Sequence, residues 1–264
     1  MGRVRRPAVA GTFYPGTAGE LEATVRGYLR DATHPSPSEN RPKAVIAPHA
    51  GYVYSGAVAA SAYVHLAACR DEIERVVLLG PAHRVAVRGL AAPESDAFAT
   101  PLGRVRLDLE ALERSLELPQ VVSFDAAHAP EHSLEVHLPF LQVLLGDFSL
   151  VPFVVRGATP EEVAEVLELL WGGPETLIVV STDLSHYRDY ETARRLDAAA
   201  TRAIEALEPE AIGDEQACGL VPVQGLLLAA QRHGLHAETV DVRNSGDTAG
   251  PRNEVVGYGS YVFA

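Results

Sequence analysis

The chain carries a short apolar run, Ala44-Val45-Ile46-Ala47, which Pro48 stops directly before His49. A run of this length bounded by a proline is typical of a strand buried inside an α/β sheet. Apolar runs at Val76–Leu79 and Thr176–Val180 repeat the pattern. Because segments with helical spacing separate these runs, we expect strands that alternate with helices around one sheet.

Further periodic segments extend this pattern along the chain. We expect helices at Ala18–Asp31, Ser55–Ala68 (with Ser55 as its cap), Leu134–Leu145, Tyr190–Leu207, Val221–His233 and from Thr159 onward, and strands at Leu150–Val155, Glu238–Val242 and Val255–Phe263. One linker-like stretch, His34 to Asn40, separates the first helix from the first strong strand. With no second linker, the sequence predicts a single α/β domain over residues 1–264, with a mixed central sheet flanked by helices.

Composition narrows the class of protein. The 264 residues are 47% hydrophobic and 22% charged, which is ordinary for a globular chain, and the net charge is −13. This charge disfavours direct binding to nucleic acid or to an anionic membrane surface. Two cysteines, Cys69 and Cys218, provide neither a disulfide framework nor a four-cysteine zinc site. Since the chain also shows no signal-peptide pattern and no apolar run of spanning length, we expect a cytoplasmic protein.

Histidines follow the three buried runs, at His49, His83 and His186. Sites of open α/β sheets lie just beyond the carboxyl ends of the strands, so these side chains converge if the strands are neighbours. Imidazole is a common ligand of zinc, iron and copper, and it exchanges protons near neutral pH. A single loop histidine is more often a surface group. The joint placement of His49 and His83 nevertheless favours a shared metal site.

Two other motifs each have two interpretations. The segment Glu131-His132-Ser133-Leu134-Glu135-Val136-His137 either starts a helix, with Ser133 as its cap, or lines the same cleft. His132 and His137 are five residues apart and do not share a helix face, so a metal pair made of these two alone is disfavoured. Cys218 precedes the last helix, where a lowered pKa would make its thiolate available to a metal, or it is a small buried packing residue.

Other catalytic patterns are missing from the sequence. No G-x-G-x-x-G follows a strand, and there is no phosphate-binding Walker loop. Asp183, Ser185 and His186 stand too close together along the chain to form a hydrolase triad by themselves.

Blocks of sequence along almost the whole chain resemble those of the Memo-like proteins, which in bacteria and archaea are also called protein B of the AmmeMemoRadiSam system. In the family's order, the blocks are Arg6–Pro15 (RPAVAGTFYP), Pro48–Gly56 (PHAGYVYSG), Gly80–His83 (GPAH), Thr100–Gly103 (TPLG), Glu131–Phe140 (EHSLEVHLPF), Ser181–Tyr187 (STDLSHY) and Cys218–Gly219.

The resemblance implies a fold like that of the class III non-haem iron extradiol dioxygenases. Carried over by motif, the metal ligands are His49, His83 and Cys218, and His186 matches the acid–base histidine of those enzymes. Asp183 and His132 are expected to line the same cleft. Cysteine takes the place of the glutamate ligand of the dioxygenases, so one of the implied ligand atoms is a soft sulfur rather than a hard oxygen. The implied cofactor is one transition metal ion, iron or copper before zinc.

Two functions follow as hypotheses. The first is a mononuclear metal-dependent oxidoreductase that acts on a small molecule or a peptide, with Asp183 orienting His186. The alternative is a binding module without turnover, in which Tyr52 and Tyr54 supply contact area and Arg84 supplies charge. The name of the bacterial system further suggests a radical-SAM partner protein.

Overall fold

The computed structural model describes residues 2–33 and 41–264, and the expected linker at residues 34–40 lies outside this part of the chain. The described residues form a mixed sheet of twelve strands: β1 (Val4–Arg5), β2 (Ala44–Ala47), β3 (Arg75–Pro81), β4 (Gly89–Ala92), β5 (Ala97–Thr100), β6 (Gly103–Leu107), β7 (Val121–Ser123), β8 (Ser149–Arg156), β9 (Thr176–Ser181), β10 (His186–Arg188), β11 (Ala237–Asn244) and β12 (Val255–Phe263).

Helices cover this sheet. They are α1 (Ala18–Asp31), α2 (Tyr52–Tyr63), α3 (Leu109–Ser115), α4 (Asp125–His128), α5 (Leu138–Leu145), α6 (Pro160–Leu170), α7 (Tyr190–Glu205), α8 (Leu220–His233) and α9 (Ser245–Thr248), with 3₁₀ turns at Val64–Leu66, Glu135–His137 and Pro209–Ala211. Helices α1, α2 and α5 pack on one another, and so do α3 with α6 and α6 with α8. In the described part of the chain, no helix is long and apolar enough to cross a membrane.

The centre of the sheet is parallel. Its main path runs β1-β5-β6-β8-β3-β9-β2-β12-β10, and the strands from β8 to β2 are parallel neighbours. Val77 of β3 lies between Val151 of β8 and Ile178 of β9, and all three side chains are fully buried. Strand β12 runs antiparallel to β2, which makes the sheet mixed. The expected α/β fold with a mixed sheet and flanking helices is confirmed.

Two predicted helix starts need correction. Helix α2 begins at Tyr52 rather than Ser55, because Gly51 is its cap residue and the Ser55 hydroxyl donates to Ala50 O at 2.9 Å. The helix expected from Leu134 starts as a 3₁₀ turn and becomes α-helical only at Leu138. Its proline, Pro139, lies in the first α-helical turn, where the absence of an N–H costs least.

The other start signals are confirmed. Helix α1 has the expected bounds, and α6 begins after Thr159 with a reciprocal cap between Thr159 and Glu162. The stretch between β3 and β8 is the hardest to predict from the sequence, because strands β4 to β7 are only three to five residues long. Their position depends on pairing with distant strands, as β4 pairs antiparallel with β8.

Candidate metal centre

The carboxyl ends of three neighbouring strands, β3, β9 and β2, open onto one cleft. The cleft has a volume of about 880 Å³. Its lining includes all six residues predicted as metal ligands or catalytic residues: His49, His83, His132, Asp183, His186 and Cys218. The strand order therefore produces the convergence that the sequence pattern required.

Three imidazoles form the tightest group in this cleft. His49, His83 and His132 each offer one ligand nitrogen, and these nitrogens all lie within 4.8 Å of one another. The ring centroid of His49 lies 5.2 Å from that of His83 and 5.5 Å from that of His132. His132 was expected only to line the cleft, and the structure places it as close to His49 and His83 as a third ligand would be.

His49 is the buried member of the group, with 2% of its surface exposed. Its Nδ1 lies 2.7 Å from Ser181 Oγ at the end of β9. Its backbone N–H donates to Asp183 Oδ1 at 2.7 Å. Burial, followed by the positive charges that His83 and His132 would carry, holds the pKa of His49 well below its usual value. The ring is therefore neutral at physiological pH, as a metal ligand must be.

Glu131 fixes the other two histidines. Its Oε1 lies 2.9 Å from His83 Nδ1 and 3.2 Å from His132 Nδ1. Its carboxylate also accepts the backbone N–H groups of His83, His132 and Ser133. Burial alone would raise the pKa of Glu131, but the hydrogen bonds from His132 and His83 outweigh it and leave that pKa far below the ordinary value. The side chain is therefore a carboxylate at physiological pH.

Cys218 approaches the group from the loop before α8. Its Sγ lies 3.4 Å from His49 Nε2, and the backbone N–H of Asp183 donates to the sulfur at 3.3 Å. Burial and the nearby Asp183 carboxylate raise the pKa of Cys218 to about 12. The thiolate expected from the start of a helix is therefore not formed without a metal, because burial outweighs the helix terminus. Cys69, in contrast, is buried away from this cleft with its Sγ directed at Leu66 O.

The proposed acid–base residue lies at the open side of the cleft. His186 Nδ1 lies 2.8 Å from Leu184 O, so a backbone carbonyl orients this ring. The expected orienting residue, Asp183, instead uses its carboxylate to hold the His49 backbone. Burial raises the pKa of Asp183.

The two tyrosines predicted to contact a substrate, Tyr52 and Tyr54, lie in different surroundings. Tyr52 is 4% exposed and its hydroxyl donates to Val136 O at 2.7 Å, so it belongs to the core. Tyr54 is 40% exposed and lines the cleft, as do Phe13 and Arg84. Of the two tyrosines, only Tyr54 contributes contact area in the cleft, where Phe13 also lies.

Three residues of the site, Glu131, Ser181 and Tyr63, did not stand out in the sequence, and His137 was considered only as a metal-ligand partner of His132. Glu131 was noted only as part of its motif, although it directly precedes His132. Ser181, His137 and Tyr63 form a buried chain behind His49, in which Ser181 Oγ lies 2.9 Å from His137 Nε2 and Tyr63 Oη lies 2.8 Å from His137 Nδ1. Only the position of Ser181, at the end of a buried strand, could have indicated its role.

Comparison with known proteins agrees with the sequence blocks. The family model "Memo-like protein" matches residues 5–262. Proteins named "MEMO1 family protein" from Ignicoccus hospitalis and Aquifex aeolicus are each 38% identical to this chain; the first match covers 98% of both chains and the second 99% of both. A crystal structure of an uncharacterized protein from Escherichia coli K12 matches with a TM-score of 0.47 and 12% identity, over 84% of this chain and 100% of that one. The chain belongs to the Memo-like protein family.

Proposed function

We propose that this protein holds a single transition metal ion between His49 and His83, with His132 and Cys218 as the neighbouring donors, and that it is a mononuclear metal-dependent oxidoreductase. The observation that supports the ion is the group of three ligand nitrogens within 4.8 Å of one another at the base of a cleft. Each of these three neighbouring imidazoles can donate one nitrogen lone pair to the same cation.

The donors suit a transition metal. Imidazole nitrogen and cysteine sulfur are ligands of iron, copper and zinc, whereas calcium and magnesium prefer oxygen. When bound, a redox-active ion such as iron or copper would supply electron transfer at positions that the protein leaves open. Thiolate formation at Cys218 would release a proton, so binding through the sulfur strengthens as pH rises.

The other residues of the cleft have roles that do not depend on the metal. His186 Nδ1 must donate to Leu184 O, since a carbonyl cannot donate. In the neutral ring, Nε2 is then free to take a proton from a substrate. Tyr54 and Phe13 offer apolar walls, and the exposed Arg84 offers a positive charge to an anionic group of a small molecule or a peptide.

Metal analysis of purified variants tests the centre. We expect His49→Ala and His83→Ala to lose nearly all bound metal, and His132→Ala and Cys218→Ala to bind it at least about tenfold more weakly, since each removes a donor. His236→Ala and Cys69→Ala are the matched controls. His236 is an exposed histidine, and the thiol of Cys69 is directed at Leu66 O rather than at the three histidines. Wild-type metal content in both His49→Ala and His83→Ala would contradict the proposed site.

Oxygen consumption by the iron- and copper-loaded protein tests the reaction. With a panel of catechols and other reduced aromatic compounds, we expect turnover that falls by about 10²- to 10⁴-fold in His186→Ala, the usual share of a general acid–base group. Metal-loaded protein that binds compounds from the panel but consumes no oxygen would replace the oxidoreductase with the binding module as the function.

A further inference from the structure

The hydrogen bonds behind the three histidines determine which ring nitrogen of each carries a proton. We infer that Glu131 and Ser181 are positioning residues that each accept a hydrogen bond from the Nδ1–H group of His83, His132 or His49, so that Nε2 is the nitrogen of each ring that remains for a metal ion. This inference deepens the proposed metal centre and rests on it for its purpose, although the tautomers themselves are a property of the metal-free chain.

The argument for His83 and His132 starts from Glu131. A carboxylate can only accept hydrogen bonds, and both Nδ1 atoms lie within 3.2 Å of Glu131 Oε1. Each Nδ1 must therefore carry the hydrogen. Glu131 is 2% exposed, so its carboxylate is largely shielded from solvent. In the neutral rings, Nε2 is the nitrogen left without a hydrogen.

The argument for His49 depends on counting the hydrogens around one hydroxyl. Ser181 Oγ lies 2.6 Å from Ser133 O, 2.7 Å from His49 Nδ1 and 2.9 Å from His137 Nε2. A carbonyl cannot donate, so the single Ser181 hydrogen points at Ser133 O. Both ring nitrogens must then donate to the serine oxygen. His49 therefore has its hydrogen on Nδ1, like the other two histidines.

His137 completes the network with the opposite tautomer. Burial lowers the pKa of His137 to about 3, so the ring is neutral and carries one hydrogen. That hydrogen is on Nε2, which donates to Ser181, so Nδ1 accepts from the Tyr63 hydroxyl 2.8 Å away. Tyr63 and Ser181 are fully buried and His137 is 1% exposed, so the chain has no end at the solvent. This network orients His49 and does not carry protons to or from the cleft.

The hydrogen bonds at Nδ1 orient the three histidines for binding a cation. A neutral histidine in free solution exchanges its proton between the two nitrogens, and a metal can only bind the nitrogen that has none. In this protein, the hydrogen-bond partner of Nδ1 determines the tautomer. That partner is Ser181 at the end of β9 for His49, and Glu131 for His83 and His132. Partners of this kind typically contribute about 10- to 100-fold to metal affinity.

Long-range ¹H–¹⁵N correlation spectra of the metal-free protein at neutral pH read the tautomers directly. We expect a protonated Nδ1 in His49, His83 and His132, and a protonated Nε2 in His137. In Ser181→Ala, His49 should become a mixture of both tautomers, and zinc affinity should fall by about 10- to 100-fold. Ser133→Ala is the matched control: it removes an equally buried hydroxyl that donates to Pro81 O rather than to a ring, and should leave the His49 spectrum unchanged.

Two further variants keep the inference open to refutation if Ser181→Ala does not fold. Glu131→Gln should mix the tautomers of His83 and His132 but not of His49, and Tyr63→Phe should affect His137 alone. An Nε2–H in wild-type His49 or His83, or an unchanged His49 spectrum in Ser181→Ala, would overturn the inference. If wild type shows the expected tautomers and yet binds no metal, the proposed function fails while the tautomer assignment stands. If wild type binds metal but its histidines are mixtures of tautomers, the tautomer assignment fails while the proposed metal site stands.

Discussion

At the scale of single residues, Asp197 shows how burial acts on a carboxyl group outside the metal centre. It is 2% exposed on α7, and its Oδ1 accepts the Ser185 backbone N–H at 3.0 Å. Burial raises its pKa from the ordinary value of 3.8 to about 6, even though that hydrogen bond opposes the change. The folded chain therefore keeps a proton that the unfolded chain releases.

This difference makes stability depend on pH. Below about pH 4, Asp197 is protonated in both the folded and the unfolded state, so its ionisation does not affect the free energy of unfolding. As pH rises from about 4 to 6, the unfolded state releases its proton first, so the free energy of unfolding falls, and above about pH 6 the loss is complete. An upward shift of about two units corresponds to at most about 3 kcal/mol.

Asp197→Asn removes the ionisation while its amide oxygen can still accept the Ser185 N–H. We expect the variant to be more stable than wild type above pH 6, by about 1–3 kcal/mol, and to lose this advantage below about pH 4. Urea unfolding across this pH range measures the difference. A constant difference at every pH would show that Asp197 is not the titrating group.

At the scale of elements, the contact between the end of β9 and the start of α8 places the sulfur in the cleft. Gly219 is the cap residue of α8, and a Cβ on it would lie 2.5 Å from Ser181 O and 2.9 Å from Thr182 Cβ. Backbone cannot move aside cheaply, so only glycine permits this approach. The approach in turn holds Cys218 beside His49.

Gly219→Ala should therefore push α8 away from β9. We expect a loss of about 1–3 kcal/mol in the free energy of unfolding, together with weaker metal binding as Cys218 moves from His49. Gly27→Ala is the matched control, since Gly27 lies inside α1 and its added Cβ would meet only the end of Arg30 at 3.9 Å. That change should stabilise the protein by about 0.5–1 kcal/mol. A Gly219→Ala variant as stable as Gly27→Ala would refute the packing argument.

The elements that carry the histidines were also the easiest to predict. Strands β2, β3 and β9 are continuous apolar runs because they are buried on both faces, and such runs are visible in a sequence. The start of α2 was missed because Ser55, a good cap by residue type, lies inside the helix and its hydroxyl donates to Ala50 O, which precedes the helix. The oxygen to which a serine hydroxyl donates depends on tertiary contacts, so the local sequence does not determine it.

The same limit applies to the site. His49 and His83 follow strands, so their convergence could be predicted from topology. Glu131 could not be assigned from spacing, because its bond to His83 joins residues 48 positions apart in the chain. Ser181 and His137 act through contacts with one another across 44 positions. The convergence of His49 and His83 was thus predictable from the sequence, and the residues that orient these histidines were not.

At the scale of the whole molecule, the N-terminal segment is tied to the loop that carries Glu131. Arg5 on β1 pairs with Glu135 at 2.6 Å, with side-chain exposures of 5% and 0%. Its guanidinium also donates to His128 O and Glu131 O. Glu135 accepts further bonds from the N–H groups of Ala8 and Val9 and from the Tyr14 hydroxyl. One buried ion pair therefore joins the N-terminal segment to the backbone of the candidate metal centre.

Removing one partner of such a pair leaves the other charge buried without compensation. We expect Arg5→Ala to lower the free energy of unfolding by about 3–5 kcal/mol. Arg3→Ala, which breaks the exposed pair with Glu94, should lower it by no more than about 1 kcal/mol. Chemical unfolding of both variants measures this contrast, and equal losses would show that the buried pair contributes no more than a surface one.

The effect of Arg5→Ala should also reach the histidines. Because Arg5 holds Glu131 O, its loss frees the loop whose backbone N–H groups at His132 and Ser133 bond to the Glu131 carboxylate. Amide hydrogen exchange at these two positions should accelerate in Arg5→Ala more than at Val179 in the centre of β9, and zinc affinity should fall with it. Exchange that accelerates equally at all three amides would mean that Arg5 stabilises only the global fold. Exchange that accelerates more at the two loop amides than at Val179 would show that the N-terminal segment maintains the geometry of His83 and His132 through Glu131.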